Sequence, residues 1–233
     1  MTVALDSVVP WGRSLDEYTR MFALTPADLA AKIVDCGGGP ASFNAELRRR
    51  SRRVVSCDPI YRFSPGEIAA RIDETAPKIL EATRQTIGNF VWTDFRSPED
   101  LGRKRRAAMQ EFLDDFPAGI AEGRYRVAEL PSLPFADGEF DLALCSHFLF
   151  TYSNVFDLRF HIDSIFELCR VARQTRVFPL IPQFEAGHSP WVAGVIEELG
   201  REGYACEIER IPYEFQKGGN EMLRILRAGS ANP

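Results

Sequence analysis

Three consecutive glycines, Gly37, Gly38 and Gly39, close the short apolar run Lys32-Ile33-Val34-Asp35-Cys36. Glycine adopts positive φ readily and lets a ligand approach the main chain. The helix expected over 41–50 begins just beyond, with unpaired N–H groups at its start. Such a turn suits an adenosine-bearing ligand of more than one kind. Asp58-Pro59 ends a second apolar run, Arg53–Cys57, twenty-three residues after Asp35. An acid there can accept hydrogen bonds from both ribose hydroxyls. The alternative is a solvated strand-end acid, and the pairing of turn and acid at this separation favours the ligand role. His147 follows Ser146 at the end of another apolar run. Its imidazole, with an ordinary pKa near ~6.5, can remove a proton from a substrate, or it is a structural histidine satisfied by backbone. Phe148, Phe150 and Tyr152 either line a substrate pocket or belong to the core.

The elements that must position these residues alternate. Residues 32–36 read as a strand, 41–50 as a helix and 53–57 as a strand, a βαβ unit that implies a parallel sheet. Residues 62–123 read as two or three helices, too long for one crossover, and so as a helical insertion. Within it Ser97-Pro98-Glu99-Asp100 resembles a capping box, and Leu101, Ala108, Phe112 and Phe116 share a helix face. Strands follow at 125–130, 140–146 and 176–180, with helices at 160–173 and 190–202. Strands 205–215 and 221–227, joined by Lys217-Gly218-Gly219-Asn220, form an antiparallel hairpin. The expectation is an α/β fold: a seven-stranded, mainly parallel sheet with a C-terminal antiparallel strand and a helical insertion between strands two and three. We read 1–233 as a single domain, with 1–30 as an N-terminal helical cap in which Thr25-Pro26-Ala27-Asp28 starts a helix.

The chain has 233 residues, 45 % hydrophobic and 26 % charged, with a net charge of −5. That balance argues against a duplex-nucleic-acid binder, which needs a basic surface. Arg103-Lys104-Arg105-Arg106 is the strongest basic cluster; it is a solvated helix face or a steering patch for an acidic substrate. The five cysteines, Cys36, Cys57, Cys145, Cys169 and Cys206, show no C-x-x-C spacing and are few in histidine company, so no metal is assigned. They read as small hydrophobes in a reducing cytoplasm. Met1–Pro10 shows no targeting pattern, and no run approaches the ~18 apolar residues of a membrane span.

The order Asp35-x-Gly37-x-Gly39, then Asp58, then Glu129-Leu130-Pro131-Ser132-Leu133-Pro134-Phe135 and Phe140-Asp141, resembles class I S-adenosylmethionine-dependent methyltransferases. Ala41 stands where that pattern has a last glycine, and Glu129 where it more often has aspartate. Phrases such as Trp-Gly-Arg-Ser-Leu-Asp-Glu-Tyr resemble an uncharacterised bacterial branch of that superfamily. The resemblance implies a Rossmann-like methyltransferase fold with S-adenosylmethionine as cofactor and a small-molecule acceptor. It implies cofactor contacts at Asp35, Gly37, Gly38, Gly39, Asp58, Pro59 and Ser146, with Glu129 and Leu130 at the adenine. Arg13 would pair with the cofactor carboxylate and Tyr18 would cover it, or the two belong to a surface helix. A nicotinamide oxidoreductase is a rival, but Ser42 replaces the third glycine of G-x-G-x-x-G and no Ser/Tyr-x-x-x-Lys is present. The other rival is a binding module of the same fold without chemistry.

Overall fold

The computed structural model describes residues 8–51 and 53–227. The first seven positions of the expected N-terminal cap and of the Met1–Pro10 stretch lie outside the described residues. In chain order the elements are α1 (Leu15–Met21), β1 (Ile33–Cys36), α2 (Phe43–Arg49), β2 (Val54–Cys57), α3 (Pro65–Gln85), α4 (Pro98–Ala121) and β3 (Tyr125–Arg126). Then come β4 (Phe140–Ser146), α5 (Leu158–Val171), β5 (Ala172–Phe178), α6 (Val192–Arg201), β6 (Tyr204–Arg210) and β7 (Glu221–Arg227). The seven strands form one sheet in the order β3-β2-β1-β4-β5-β7-β6. β7 runs antiparallel to both neighbours, and the strands from β3 to β5 are parallel. The α/β class, the seven strands, the antiparallel strand and the helices between β2 and β3 all match the expectation.

Strand alternation decides what each face carries. Val34 and Cys36 of β1 point into the core against Ile165, Leu168 and Val195 of α5 and α6. Ile33 points the other way, toward Phe43 and Leu47 of α2 and Tyr18 of α1. Asp35, two residues on, must share that second face. Ser56 is its register partner on β2. A carboxylate is thereby carried into the layer beneath α1, where it needs partners.

The insertion is two long helices. α3 starts with Ser64 as N-cap and a reciprocal Glu67, a complete capping box. α4 starts at Ser97, whose hydroxyl accepts from the Asp100 N–H; the Asp100 carboxylate reaches past the cap to the Arg96 N–H. The expected stripe Leu101, Ala108, Phe112 and Phe116 is buried.

Four expectations about boundaries change. β3 covers Tyr125–Arg126 and not 125–130, because it pairs only with Ser56 and Cys57, after which the chain folds back in a Glu129–Ser132 bridge. β5 begins at Ala172, since α5 ends at Val171. β6 stops at Arg210, and residues 211–219 leave the sheet to border a cavity. The Thr25 start yields a single 3-10 turn at Asp28–Ala30: Thr25 and Asp28 cap one another, and Arg176 claims the Asp28 carboxylate at 2.9 Å. Among the described residues no helix is long and apolar enough to cross a membrane.

Candidate active site

The C-terminal ends of β1, β2 and β4 open onto a cavity of about 400 Å³. Its floor is the glycine turn. Gly37 and Gly39 hold φ of +70° and +52°, the left-handed region that favours glycine. Gly38 is required for a different reason: a Cβ there would stand 2.3 Å from Asp35 Oδ2. The turn is tied down by the Gly37 and Gly38 N–H groups, both donating to the Cys57 carbonyl.

Asp58 joins this turn to the end of β2. Its Oδ2 accepts from the Gly39 N–H at 2.9 Å and its Oδ1 from the Ile60 N–H at 2.8 Å. A carboxylate offers about four lone-pair positions, so two remain for a ligand. Burial pushes its carboxyl up to about 6, against the pull of those two N–H groups. Pro59 lies beside it in the cavity lining.

Asp35 is 1 % exposed and lies behind the turn, outside the cavity lining. Tyr18 Oη and Ser56 Oγ each donate to it at 3.1 Å. Burial pushes its carboxyl up to about 7, and the two hydroxyls pull it back. Tyr18 thus reaches the cavity with its ring while its hydroxyl is committed beneath; the ring stacks on Phe43 at 4.2 Å. It is no surface residue, being 1 % exposed.

The segment before α1 lies against the turn. Gly12 makes this possible, since a Cβ there would fall 2.0 Å from the Pro40 carbonyl oxygen. Arg13 follows, its carbonyl accepting from the Ser42 N–H at 3.0 Å and its side chain in the cavity lining. Among the described residues the guanidinium has a single hydrogen bond, to the Trp11 carbonyl, and a buried Nε without a partner. Burial and the neighbouring Arg105 charge lower its pKa to about 10.

Arg105 corrects the reading of the basic cluster. It is 1 % exposed and bonded to Glu17 of α1, whose other oxygen accepts from Tyr213 Oη at 2.9 Å. Arg103 pairs with Asp100, Lys104 with the Asp94 carbonyl and Arg106 with Asp73. Arg103, Lys104 and Arg106 stay on the exposed face of the helix, and Arg105 alone of the run turns inward. Sequence reasoning missed Arg105, Glu17 and Tyr213; the available signal was that 105 falls on the stripe of 101, 108 and 112.

His147 is in the cavity wall, at φ +49°. Its Nδ1 lies 3.0 Å from Ser146 Oγ, and its ring meets Phe178 edge-on. Burial, then the Arg13 and Arg105 charges, hold its pKa well below the ordinary value, so the ring is neutral. Ser146, Phe148 and Tyr152 line the cavity, with the Phe148 ring against Gly37; Phe150 belongs to the core, stacked on His161. Glu129 and Leu130 are not brought to the cavity. Leu130 is buried in the α5/α6-side core, and the Glu129 carboxylate is exposed, 4.0 Å from Arg62. The early end of β3 is the reason. Among the described residues no group of three or more His, Cys, Asp or Glu side chains is placed to hold a metal ion.

No family model matches the chain. An uncharacterized protein of the archaeon Methanocaldococcus jannaschii is 32 % identical over 228 residues, which is 96 % of this chain and 98 % of that protein. The relative is archaeal, so the expected bacterial branch finds no support in it. Among solved structures, magnesium protoporphyrin IX methyltransferase from Synechocystis PCC 6803 with bound SAM aligns at a TM-score of 0.47 and 14 % identity, over 92 % of this chain and 78 % of that one. A SAM-dependent methyltransferase from Aquifex aeolicus aligns at 0.41 and 12 % identity, over 91 % and 93 %.

Proposed function

The chain belongs to the family of the Methanocaldococcus jannaschii protein, and from its own cavity we propose that it binds S-adenosylmethionine and transfers the methyl group to a small molecule. One observation carries this reading. A glycine turn with a part-free carboxylate at Asp58 shares a cavity with an arginine, Arg13, that among the described residues has no acid hydrogen-bonded to it. Adenosylmethionine has a sugar diol for the carboxylate and a terminal carboxylate for the guanidinium. The orphaned Arg13 Nε and the two left-handed glycines are the features a ligand of that shape requires.

Bound there, the cofactor would supply an electrophilic methyl group whose leaving group is a neutral thioether, so alignment is the main demand on the protein. Asp58 holds the ribose hydroxyls, and Pro59 borders the adenosine. Arg13 takes the carboxylate end, with Tyr18 and Ser146 beside it. Asp35 keeps the turn in shape through Tyr18 and Ser56 and touches no ligand. His147, whose neutral imidazole burial favours, faces the same space and could take the proton from a hydroxyl nucleophile, or from an ammonium group before the free amine attacks. Glu129 and Leu130 do not line the cavity, although the Glu129 charge reaches Asp58, and we assign them no role.

Calorimetry with S-adenosylhomocysteine tests this. Binding in the micromolar range is expected, weakened by Arg13→Met and Asp58→Ala. An absence of binding by the unmodified protein would sink the reading.

A further inference from the structure

The cavity lining continues away from the glycine turn. Its far wall comes from four segments: Ile79 and Thr83 of α3, Phe90 between α3 and α4, Phe184 from the chain after β5, and Phe215 from the chain between β6 and β7. Phe90 stacks on Phe215 at 4.8 Å and meets Phe184 edge-on at 6.1 Å. Three aromatic rings therefore bound one space.

The polar groups in this wall sort into committed and free. The Thr83 hydroxyl donates to the Ile79 carbonyl. The Gln216 amide is used fully: its Nε2 donates to the Pro182 and Glu185 carbonyls and its Oε1 accepts from the Phe184 N–H. Thr151 differs. It is 7 % exposed, lines the cavity, and among the described residues its hydroxyl has no partner. Gln183 adjoins it, since the Gln183 N–H donates to the Thr151 carbonyl at 3.1 Å. A buried hydroxyl without a partner costs free energy that a ligand's hydrogen bond would recover.

Charge completes the argument. Asp58 is the acid in the cavity lining and sits at the glycine turn. Arg62 and Arg71 belong to that end too, Arg71 lying over the ring of Phe63 at 4.5 Å. The wall of Ile79, Thr83, Phe90, Phe184 and Phe215 carries no charge of either sign. An ion placed there would lose hydration and gain no counter-charge.

Resting on the methyltransferase reading, we propose that this chamber is the acceptor site and that it takes an uncharged, flat, apolar molecule bearing one hydrogen-bonding group, which Thr151 and Gln183 hold. The test is fluorescence titration of the full chain, saturated with S-adenosylhomocysteine, with 2-naphthol, naphthalene and 1-naphthylmethylammonium. The expected result is that 2-naphthol binds at least about tenfold more tightly than the ammonium probe. Thr151→Val and Gln183→Leu should each weaken 2-naphthol by about tenfold and leave naphthalene unchanged. Ile79→Trp should exclude both neutral probes while S-adenosylhomocysteine still binds, which also certifies the fold. Equal binding of the ammonium probe, or equal losses for 2-naphthol and naphthalene in the Thr151 and Gln183 variants, would overturn the proposal alone. Failure of S-adenosylhomocysteine to bind the unmodified chain would instead overturn the methyltransferase reading, and the assignment of an acceptor site with it.

Discussion

Arg105 of α4 and Glu17 of α1 form a buried ion pair, 88 residues apart in sequence, with Tyr213 closing the other side of the carboxylate. The pair connects the insertion to the segment that carries Arg13. Burial pushes the Glu17 carboxyl up, but the Arg105 charge and hydrogen bond outweigh it and hold the group down at about 2. Glu17 is hydrogen-bonded to Arg105, and among the described residues the nearby Arg13 has no acid hydrogen-bonded to it, although the Glu17 charge still acts on its guanidinium. A pairing internal to the protein thus keeps a second cation open to a ligand.

Removing one partner of such a pair strands the other charge in the interior, at about 3–5 kcal/mol. Arg105→Met should lower the unfolding free energy by that amount in urea denaturation. The double variant Arg105→Met with Glu17→Gln should recover much of it, because no uncompensated charge remains. A loss under about 1 kcal/mol in the single variant would contradict the buried pairing.

The glycine turn separates two effects that a scan of glycines would merge. Gly38→Ala brings a Cβ within 2.3 Å of Asp35 Oδ2, so the carboxylate and its two hydroxyl donors must shift. Gly39→Ala meets nothing closer than 3.9 Å but holds an alanine at φ +52°, a cost of about 1–2 kcal/mol. Thermal melts should rank Gly38→Ala as the more damaging. S-adenosylhomocysteine affinity should fall in both, since both alter the path of the main chain under the ligand. The opposite ranking would mean that Asp35 can move freely, contrary to its burial.

Much of this was legible in the sequence. The β1–turn–α2–β2 unit announces itself because glycine runs and apolar strands have local causes. The same holds for Asp58, whose position follows from the length of one βαβ unit. What failed was long-range. Arg105 sits in a run of four cations, and composition gives no sign that one of them turns inward to meet Glu17. Ile211, Tyr213 and Phe215 alternate as a strand does, yet they lie beyond the sheet, with Tyr213 and Phe215 bordering the cavity, because β7 is paired with β6 only up to Arg210. Gly12 matters through its close approach to Pro40 and Met109, which no local pattern encodes. Glu129 was placed by resemblance, and β3 ends too early to deliver it.

His147 should stay neutral throughout the range in which an ordinary histidine titrates. Burial and the Arg13 and Arg105 charges all disfavour the imidazolium. In NMR spectra assigned with His147→Gln, its ring resonances should not move between about pH 5.5 and 8.5, around the ordinary value near ~6.5. A midpoint above 6 would mean that the two guanidinium charges do not reach the ring. Arg13→Met should raise the midpoint, which ties the effect to charge and not only to burial.

Asp35 and Asp58 give the protein an unusual stability profile with pH. Burial raises the Asp35 carboxyl from an ordinary 3.8 to about 7 and Asp58 to about 6. Between 3.8 and these values the folded chain retains protons that the unfolded chain has released. Stability therefore falls as pH rises through this window and levels off above about 7. The Asp35 share is on the order of 4 kcal/mol, since its rise from 3.8 to about 7 is about three tenfold changes in proton affinity, each worth about 1.4 kcal/mol. Asp35→Asn removes the titrating group while keeping an acceptor for Tyr18 or Ser56. Urea unfolding of this variant from pH 4 to pH 8 should show a shallower decline, with the remaining slope confined to the Asp58 range below about 6. Affinity for S-adenosylhomocysteine should run the other way, rising with pH through about 6 as the Asp58 carboxylate forms. Stability and ligand affinity moving in opposite directions over the same pH interval is the signature of buried acids retained for binding; parallel curves would show that Asp58 does not meet the ligand.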